Sequence, residues 1–343
     1  MGAKIISVSS DDSTYYTLPG NTGDFSDQLG VLDDTIFGQT YKSQQPNLIN
    51  WMVTANALYK GFAGYMVVIK QAGTPTTMTT EAMSLVSGKT YKTTSTTKNV
   101  WDRLTTVTVF DNAVDHTADV LNIDYVFGQV TFKPAYTVTG PVTVTGKYLP
   151  MTSLAKYQKF SLTQNMDAIN NSDIPTLQGN SGHETFDFGL RTVSLEVSGV
   201  YASSNGYRAA LVARNEVVIE INPDGGSKSV ARGFFRPATR KQTGKVGALE
   251  EETANFNLTV PDNSLMLSPF SWQFSSSTDL SVAVQKCLQG FQNNTNVYVK
   301  YLPDGSTGLK GSGLITDFSL SGGMDAMNEF SVTIQGTGGV TTV

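Results

Sequence analysis

The chain has 343 residues, of which 39% are hydrophobic and only 15% are charged, and its formal net charge is −5. The length predicts about two domains, and the low charge leaves Ser, Thr, Asn, Gln and Gly to cover the surface. The negative balance argues against a general phosphate-binding surface, and the single Cys287 excludes an intrachain disulfide framework. No apolar run approaches the roughly 18 residues of a membrane span. The first residues lack a signal-peptide core, so we expect folding in a reducing cytoplasm.

The first 40 residues hold the whole net charge. Lys4 is their one basic residue against six aspartates, so the remaining residues sum to zero. The polar composition and the turn at Pro19-Gly20 predict an extended arm or a long loop over residues 1–45. This acidic arm would either be solvated, or repel nucleic acid or meet a basic partner. Its candidate residues are Asp24, Asp27, Asp33 and Asp34.

The rest of the first half predicts β-strands. From Leu48 to Tyr59, apolar and polar residues alternate with the period of two of a half-buried strand. Residues 71–100 are rich in Thr, Lys, Gly and Ser, and predict a mobile loop with a helical turn at 81–86. Phe127-Gly128 predicts a hairpin turn. Strands are predicted at residues 66–70, 106–110, 121–126, 129–133 and 142–147.

The second half predicts further strands and one helix. Strands are predicted at residues 190–201, 217–221, 230–235, 256–260, 296–301, 313–320 and 329–335. Apolar residues recur at helical spacing from Leu280 to Phe291 and predict a helix over residues 279–289, with Gly290 ending it. Cys287 lies on the apolar face, so its thiol is predicted to pack in the core.

Residues 236–252 predict a long loop between two of these strands. The segment is basic in its first half and acidic in its second half, and long loops in compact domains are commonly functional or disordered. Two interpretations stay open: a solvated excursion, or a polar contact with a neighbouring subunit that could be deleted without loss of the fold. The candidate contact residues are Arg236, Arg240, Lys241, Lys245, Glu250, Glu251 and Glu252.

Five short sequence matches recur in the same order in both halves of the chain. Their displacement grows steadily along the sequence, as expected if one ancestral unit had doubled and then taken small insertions. The matched pairs are residues 48–59 with 190–201, 64–65 with 206–207, 67–70 with 217–220, 147–150 with 300–303, and 160–170 with 318–328. The repeat predicts two domains, at residues 1–155 and 156–343, and favours symmetric assembly over catalysis.

The sequence predicts neither catalytic residues nor cofactor or metal sites. His116 and His183 are the two histidines, and neither has a Cys, Asp or Glu partner at a metal-ligand spacing such as HExxH. Nucleophile-elbow, P-loop and dinucleotide motifs do not occur. Adjacent carboxylates such as Asp33-Asp34 are not the facing pair that glycosidases use. We therefore expect that the chain is not an enzyme.

Several segments of residues 155–343 together resemble the major tail tube protein of long-tailed bacteriophages. The strand GLRTVSLEVSG at 189–199 precedes a second strand and the charged loop, and EEETANFNL at 250–258 comes before the predicted helix. The final segments, LITDFSL at 314–320 and EFSVTIQG at 329–336, are similar to the closing hairpin of that family. The first half has matching strands without the helix.

The resemblance implies a mainly β fold with two tandem sandwich or barrel-like tube domains and one flanking helix. It further implies a virion protein made in the host bacterial cytoplasm. Three such chains would close a ring with pseudo-six-fold symmetry, or six chains if each supplied one domain. Stacked rings would form a hollow tail tube, in contact with a tape-measure protein and tail-tip or terminator proteins. DNA would pass through the tube without specific binding, and no membrane partner is implied.

A second class of function stays open on the sequence. A phage or cell-surface β-sandwich that binds a glycan or receptor, or decorates a larger particle, would share the composition and strand pattern. An exposed aromatic cluster would favour that alternative. Most aromatic residues here lie at alternating strand positions, where they are expected to form the core.

Overall fold

Strands make up most of the chain in the computed structural model, which confirms the mainly β fold class. The structure describes residues 5–20, 22–34, 42, 44–59, 68–154, 157–179, 182–201, 207–223, 229–244, 246–247, 249–260, 265–274, 282–323 and 326–343. The chain forms two compact units. Unit 1 contains Met1–Gly64, Ser161–Val193 and Ser276–Val343, and unit 2 contains Tyr65–Phe160 and Ser194–Ser275.

The described strands and helices have the following bounds. The strands are β1 Ile5–Ser9, β2 Tyr16–Thr17, β3 Thr22–Asp33, β4 Gln44–Tyr59, β5 Val68–Ala72, β6 Thr76–Ser87, β7 Thr90–Thr93, β8 Thr108–Asp111, β9 Val114–Asp115, β10 Val120–Asp124, β11 Gln129–Phe132, β12 Val142–Tyr148, β13 Met151–Ser153, β14 Tyr157–Asn170, β15 Phe186–Val200, β16 Val217–Asn222, β17 Ser229–Thr243, β18 Glu251–Leu258, β19 Phe270–Phe274, β20 Val297–Leu302, β21 Leu309–Gly323, β22 Ala326–Gly336 and β23 Thr341–Thr342. The helices are α1 Ile174–Gly179, α2 Arg208–Ala213 and α3 Val282–Asn293, with a 3₁₀ turn at Thr117–Asp119.

Unit 1 is built on an antiparallel run of strands covered by α3. The strands β3, β4, β22, β21, β20, β1 and β2 pair in that order. Parts of the segment 1–45 therefore form strands. Residues 5–9 form β1, which pairs with β20, and residues 22–33 form β3, which forms a hairpin with β4. The prediction of an extended arm or a long loop over residues 1–45 is therefore wrong for these stretches, because β1 pairs with a strand far away in sequence and β3 pairs with the next strand along the chain.

Helix α3 confirms the predicted helix, with its end displaced. Its buried face includes Ala283, Cys287 and Leu288, and it packs against β1, β20 and β21. Gly290 does not end the helix. A Cβ at that position would lie 2.8 Å from the Val297 side chain, so glycine here permits close packing. The helix ends before Asn294, whose φ of 51° is the left-handed conformation that commonly terminates helices.

Unit 2 contains two sheets that share a hydrophobic core. One sheet has the order β13, β5, β16, β17, β18 and β15, with β19 also paired to β17, and the other has the order β10, β11, β7, β6, β12, β8 and β9. Trp101, Phe127, Phe132, Val218 and Phe234 are buried together in this core. The predicted hairpin at 122–132 is confirmed as β10 and β11.

The predicted loop over residues 71–100 is wrong, because most of it forms β6 and β7. Met78 and Met83 of β6 are both buried, although an odd spacing of five residues would place them on opposite faces of a regular strand. The register shifts opposite Val144 and Gly146, and Thr80 has a φ of 47°. This bulge interrupts the alternation of buried and exposed residues by which a strand is predicted from sequence.

Two short helices, α1 and α2, were not predicted. Each has six residues, which is shorter than two helical turns and too short for a helical period to stand out. Helix α2 ends at Arg214, whose φ of 55° is left-handed. Helices α1 and α2 are therefore additional to the predicted α3.

One pair of matched segments comes together in unit 2. The strands β5 and β16, which contain the matched residues 68–70 and 218–220, pair antiparallel with Lys70 opposite Glu220 and Ile69 opposite Ile221. Each compact unit contains residues from both sides of position 155. The predicted boundary near residue 155 divides the chain between two sequence repeats, whereas the compact units divide it by contacts in space. The duplication of an ancestral domain stays a prediction.

Candidate assembly surfaces

The acidic hairpin, consisting of β3 and β4, carries the four acidic candidates at its surface. These residues, all exposed, are Asp24, Asp27, Asp33 and Asp34. The Asp33 carboxylate lies 3.9 Å from Lys42 Nζ, and the Asp34 carboxylate accepts a 2.8 Å hydrogen bond from Gln45 Nε2. Two of the four carboxylates at this surface are thus engaged by Lys42 and Gln45.

The far end of the acidic hairpin is exposed on both faces. Side chains from 28 to 34 and from 44 to 47 are exposed, apart from the intermediate Gly30. Leu29, Val31 and Leu32 are 50%, 53% and 56% exposed, respectively. Among the described strands, β3 pairs with β4 alone. Exposed apolar side chains next to an open strand edge favour association with another chain.

Aromatic packing fixes the base of the acidic hairpin in unit 1. The Phe25 ring stacks on Trp51 with centroids 5.7 Å apart and on Tyr301 with centroids 5.8 Å apart. Trp51 is buried and donates a 2.8 Å hydrogen bond from Nε1 to the Gly338 carbonyl. The hairpin is therefore anchored at one end and presents the other.

The charged hairpin, consisting of β17 and β18 in unit 2, replaces the predicted loop over residues 236–252. Pairing continues from Phe235 opposite Leu258 to Thr243 opposite Glu251. The strand was missed because the register shifts between Pro237 and Thr239. Proline inside strands is found at such bulges. The loop prediction is therefore wrong for most of the segment, which is regular and paired.

Two of the predicted contact residues pair with each other within the chain. Glu252 has a fully buried side chain, and Arg240 donates to it from Nε. The same carboxylate accepts a 2.5 Å hydrogen bond from the Tyr157 hydroxyl and a 3.3 Å hydrogen bond from the Tyr207 amide. The guanidinium of Arg240 also lies over the Tyr201 ring at 5.4 Å. This cluster stabilises unit 2 and leaves Glu252 inaccessible.

The other contact candidates lie on the outside of the charged hairpin. Arg236, Lys241, Glu250 and Glu251 are exposed, and Lys245 lies outside the described residues. At the tip, Val246 is fully exposed and Leu249 is 72% exposed. The exposed apolar residues at this tip and in the acidic hairpin were not among the predicted contact residues. Their signal was an apolar residue inside an otherwise polar segment.

The His116 ring lies beside a carboxylate, and the Cys287 thiol is buried. His116 Nδ1 lies 2.9 Å from Asp119 Oδ2. Within the described ranges, no group of three or more His, Cys, Asp and Glu residues could hold a metal ion. Cys287 is buried, and burial raises the pKa of its thiol to about 12. In the part of the chain that the structure describes, no helix is long and apolar enough to span a bilayer.

Comparisons with known proteins found little similarity. No family model matches the sequence, and no curated protein matches it. One similar solved structure is a chain from the tail of an empty GTA particle, determined by helical refinement with C6 symmetry. The two chains are 12% identical with a TM-score of 0.29, over 37% of this chain and 87% of that one. Similarity at this level carries no argument about fold or function.

Proposed function

We propose that this chain is a structural protein of a bacteriophage tail that assembles into stacked rings around a channel. The rings would contain three chains with pseudo-six-fold symmetry, with six chains as the alternative. DNA and a tape-measure protein would pass through the channel, and tail-tip or terminator proteins would cover its ends. The resemblance of residues 155–343 to tail tube proteins is the origin of this proposal.

The observation that carries the proposal is the acidic hairpin. Its base is fixed by Phe25 and Trp51, while its far end exposes apolar side chains, and among the described strands β3 pairs with β4 alone. A monomer gains nothing from holding such a surface in water, whereas a neighbouring copy would bury it. The carboxylates beside it keep unassembled chains soluble and repel the phosphates of DNA.

The first experiment tests whether the chain polymerises through the acidic hairpin. We expect the purified protein to form rods with a central channel in negative-stain electron microscopy, and a cryo-electron map of one ring to show three-fold or six-fold symmetry. The variant Leu29→Ser, Val31→Ser, Leu32→Ser should fold but form no rods. Each half-exposed side chain stabilises a contact by about 1 kcal/mol when buried, so the triple variant should raise the critical concentration roughly 100-fold.

A matched control separates this effect from a general loss of apolar surface. Leu85 and Val86 are 57% and 55% exposed in β6, so Leu85→Ser, Val86→Ser removes similar side chains elsewhere. The control should still form rods, with an unchanged circular dichroism spectrum in both variants. Discrete small oligomers of the parent protein under all conditions, or normal rods from the triple variant, would contradict the proposal.

A second experiment addresses the charged hairpin as a contact between rings. The sequence alone predicted that deleting residues 236–252 would leave the fold intact and block the stacking of rings. Because the deletion would remove paired strand residues and the buried Glu252, we expect it to unfold unit 2. Replacing residues 244–250 with a short Gly-Ser turn instead removes the exposed tip alone. We expect single rings that no longer stack. Rods of normal length from this variant would sink the stacking role.

A further inference from the structure

Unit 2 contains a cavity of about 730 Å³ with a mixed polar and apolar lining. Cavities that bind small molecules commonly have volumes of about 300–1,000 Å³. The lining comes from seven strands and from the segments that follow β7 and β12, and includes Lys70, Lys92, Tyr148, Asn222, Arg232 and Phe274. The assembly surfaces described above do not use these residues.

A buried carboxylate holds two of the lining cations. The Glu220 side chain is 1% exposed; one of its oxygens lies 2.6 Å from Lys70 Nζ, and the other accepts a hydrogen bond from Arg232 Nε. Although burial alone would raise the pKa of Glu220, the two cations hold it below its usual value. Both cations therefore share one negative charge, which leaves a local surplus of positive charge.

Arg232 is positioned to bind a further acceptor. Its Nη1 donates hydrogen bonds to Asn99 Oδ1 at 3.1 Å and to the Val126 carbonyl at 3.0 Å. Among the described residues, its Nη2 has no hydrogen-bond partner, and the side chain is 9% exposed. The guanidinium stacks over the Phe127 ring at 4.9 Å, which fixes its plane. A fixed guanidinium with an unused edge suits a phosphate or a carboxylate.

Lys92 adds a third cation to the same cavity. Its Nζ donates a 2.8 Å hydrogen bond to Gln273 Oε1, which is neutral. Burial, and then the charge of Arg232, lowers the pKa of Lys92. The carboxylate of Asp124 contributes the second negative charge near these cations. Three cations thus lie near two carboxylates, with Arg232 buried and both lysines half-buried, and surplus charge in a partly buried site is costly unless a counter-ion compensates it.

Asn222 supplies an acceptor on the wall of the cavity. Its side chain is buried, and Nδ2 donates a 2.8 Å hydrogen bond to Glu220 Oε1. Its Oδ1 has no hydrogen-bond partner among the described residues. A buried acceptor without a donor costs roughly 1–3 kcal/mol, so a hydroxyl group of a ligand would fit there. Tyr148 and Phe274 offer aromatic surface for a carbon ring.

We propose that this cavity binds a small polyhydroxylated organic anion, the chemistry shared by sugar phosphates and sugar acids. The anionic group binds Arg232 Nη2 and Lys92 Nζ, a hydroxyl group donates to Asn222 Oδ1, and the ring packs against Tyr148 and Phe274. This site is independent of the proposed tube function, because it lies within unit 2 and needs no second chain.

The test is lysine acetylation followed by mass spectrometry, which works on free and assembled protein. The probes are glucose 6-phosphate, glucuronate, glucose and inorganic phosphate, each at up to about 10 mM, where a Kd near 1 mM is readily detected. We expect glucose 6-phosphate or glucuronate to slow acetylation of Lys92 at least roughly five-fold, as about 90% occupancy predicts. Lys159, exposed and also in unit 2, is the internal control and should be unaffected.

The two anionic sugars distinguish the sources of the ligand, since preference for one identifies a phosphate or a carboxylate site. Calorimetry with Lys92→Gln should show at least about ten-fold weaker binding than the parent, and Lys159→Gln should match the parent. No protection by either anionic sugar, equal protection by glucose, or equal protection by inorganic phosphate would overturn the proposal. The acetylation experiment uses the parent protein, so it tests the proposal even if Lys92→Gln does not fold.

Discussion

Asp124, at the end of β10, offers a quantitative test of how unit 2 tolerates buried charge. Its carboxylate accepts hydrogen bonds from the amides of Val126 at 3.0 Å and Phe127 at 3.1 Å. Burial nevertheless raises its pKa from 3.8 to about 6, against the opposing effect of these amides and of the cations Arg232 and Lys92. The variant Asp124→Asn keeps an acceptor oxygen for the turn and removes the charge.

The magnitude follows from the difference between the two pKa values. A pKa of about 6 in the folded chain against 3.8 in the unfolded chain, at about 1.4 kcal/mol for each pKa unit, corresponds to roughly 3 kcal/mol. Because the folded-state value is raised, this stability is fully present below pH 3.8 and is lost as the pH rises through about 6. Relative to the parent, Asp124→Asn should therefore gain roughly 3 kcal/mol in unfolding free energy between low and neutral pH.

The assay is urea unfolding of parent and variant at constant ionic strength between about pH 4 and pH 8. Comparing the two proteins at each pH cancels the titration of every other group that the substitution leaves unchanged. The unfolding should be followed with assembly blocked by Leu29→Ser, Val31→Ser, Leu32→Ser in both proteins. A difference between variant and parent that stays constant across this pH range, or that moves in the opposite direction, would refute the reasoning.

Three further predictions concern separate sites. Burial would raise the pKa of Asp111, but hydrogen bonds outweigh it and hold the pKa below its usual value. Asp111→Asn should therefore lower the free energy of unfolding, measured in urea at neutral pH, by about 1–3 kcal/mol. The difference should be smaller in acid, where protonation of Asp111 also destabilises the parent. A Cβ at Gly336 would lie 2.1 Å from the Trp51 ring, so Gly336→Ala should lower the melting temperature, whereas Gly179→Ala, with nothing within 4 Å, should not. The Cys287 thiol should react with a disulfide reagent only after unfolding, measured by absorbance; reaction in native protein contradicts its burial.

Local patterns were sufficient where a segment is regular. The amphipathic spacing around Cys287 predicted α3, and the turn at Phe127-Gly128 predicted the hairpin of β10 and β11, where Gly128 has a φ of 61°. Local patterns predicted the wrong structure where a bulge interrupts a strand. Thr80 in β6 and Pro237 in β17 both shift the alternation, so two paired strands were taken for loops.

The candidate surfaces were predicted in composition only. The sequence marked the acidic and charged segments, but it could not show that Glu252 is buried against Arg240 while Glu251 is exposed. Neighbouring residues in a strand point to opposite faces, and which face is covered depends on the strands and side chains packed there. The exposure of Leu29, Val31 and Leu32 is decided in the same way.

By itself, the amino-acid sequence determined the mainly β class, the site of α3 and the acidic character of the first 40 residues, because composition and short-range periodicity are local properties. It also contained the short match between residues 67–70 and 217–220, which aligns Lys70 with Glu220. Only the tertiary structure decided that these two residues pair in adjacent strands, and that Lys92 and Arg232, distant in sequence, line the same cavity. Strand partners and cavities depend on long-range pairing, which a single sequence does not reveal without the fold.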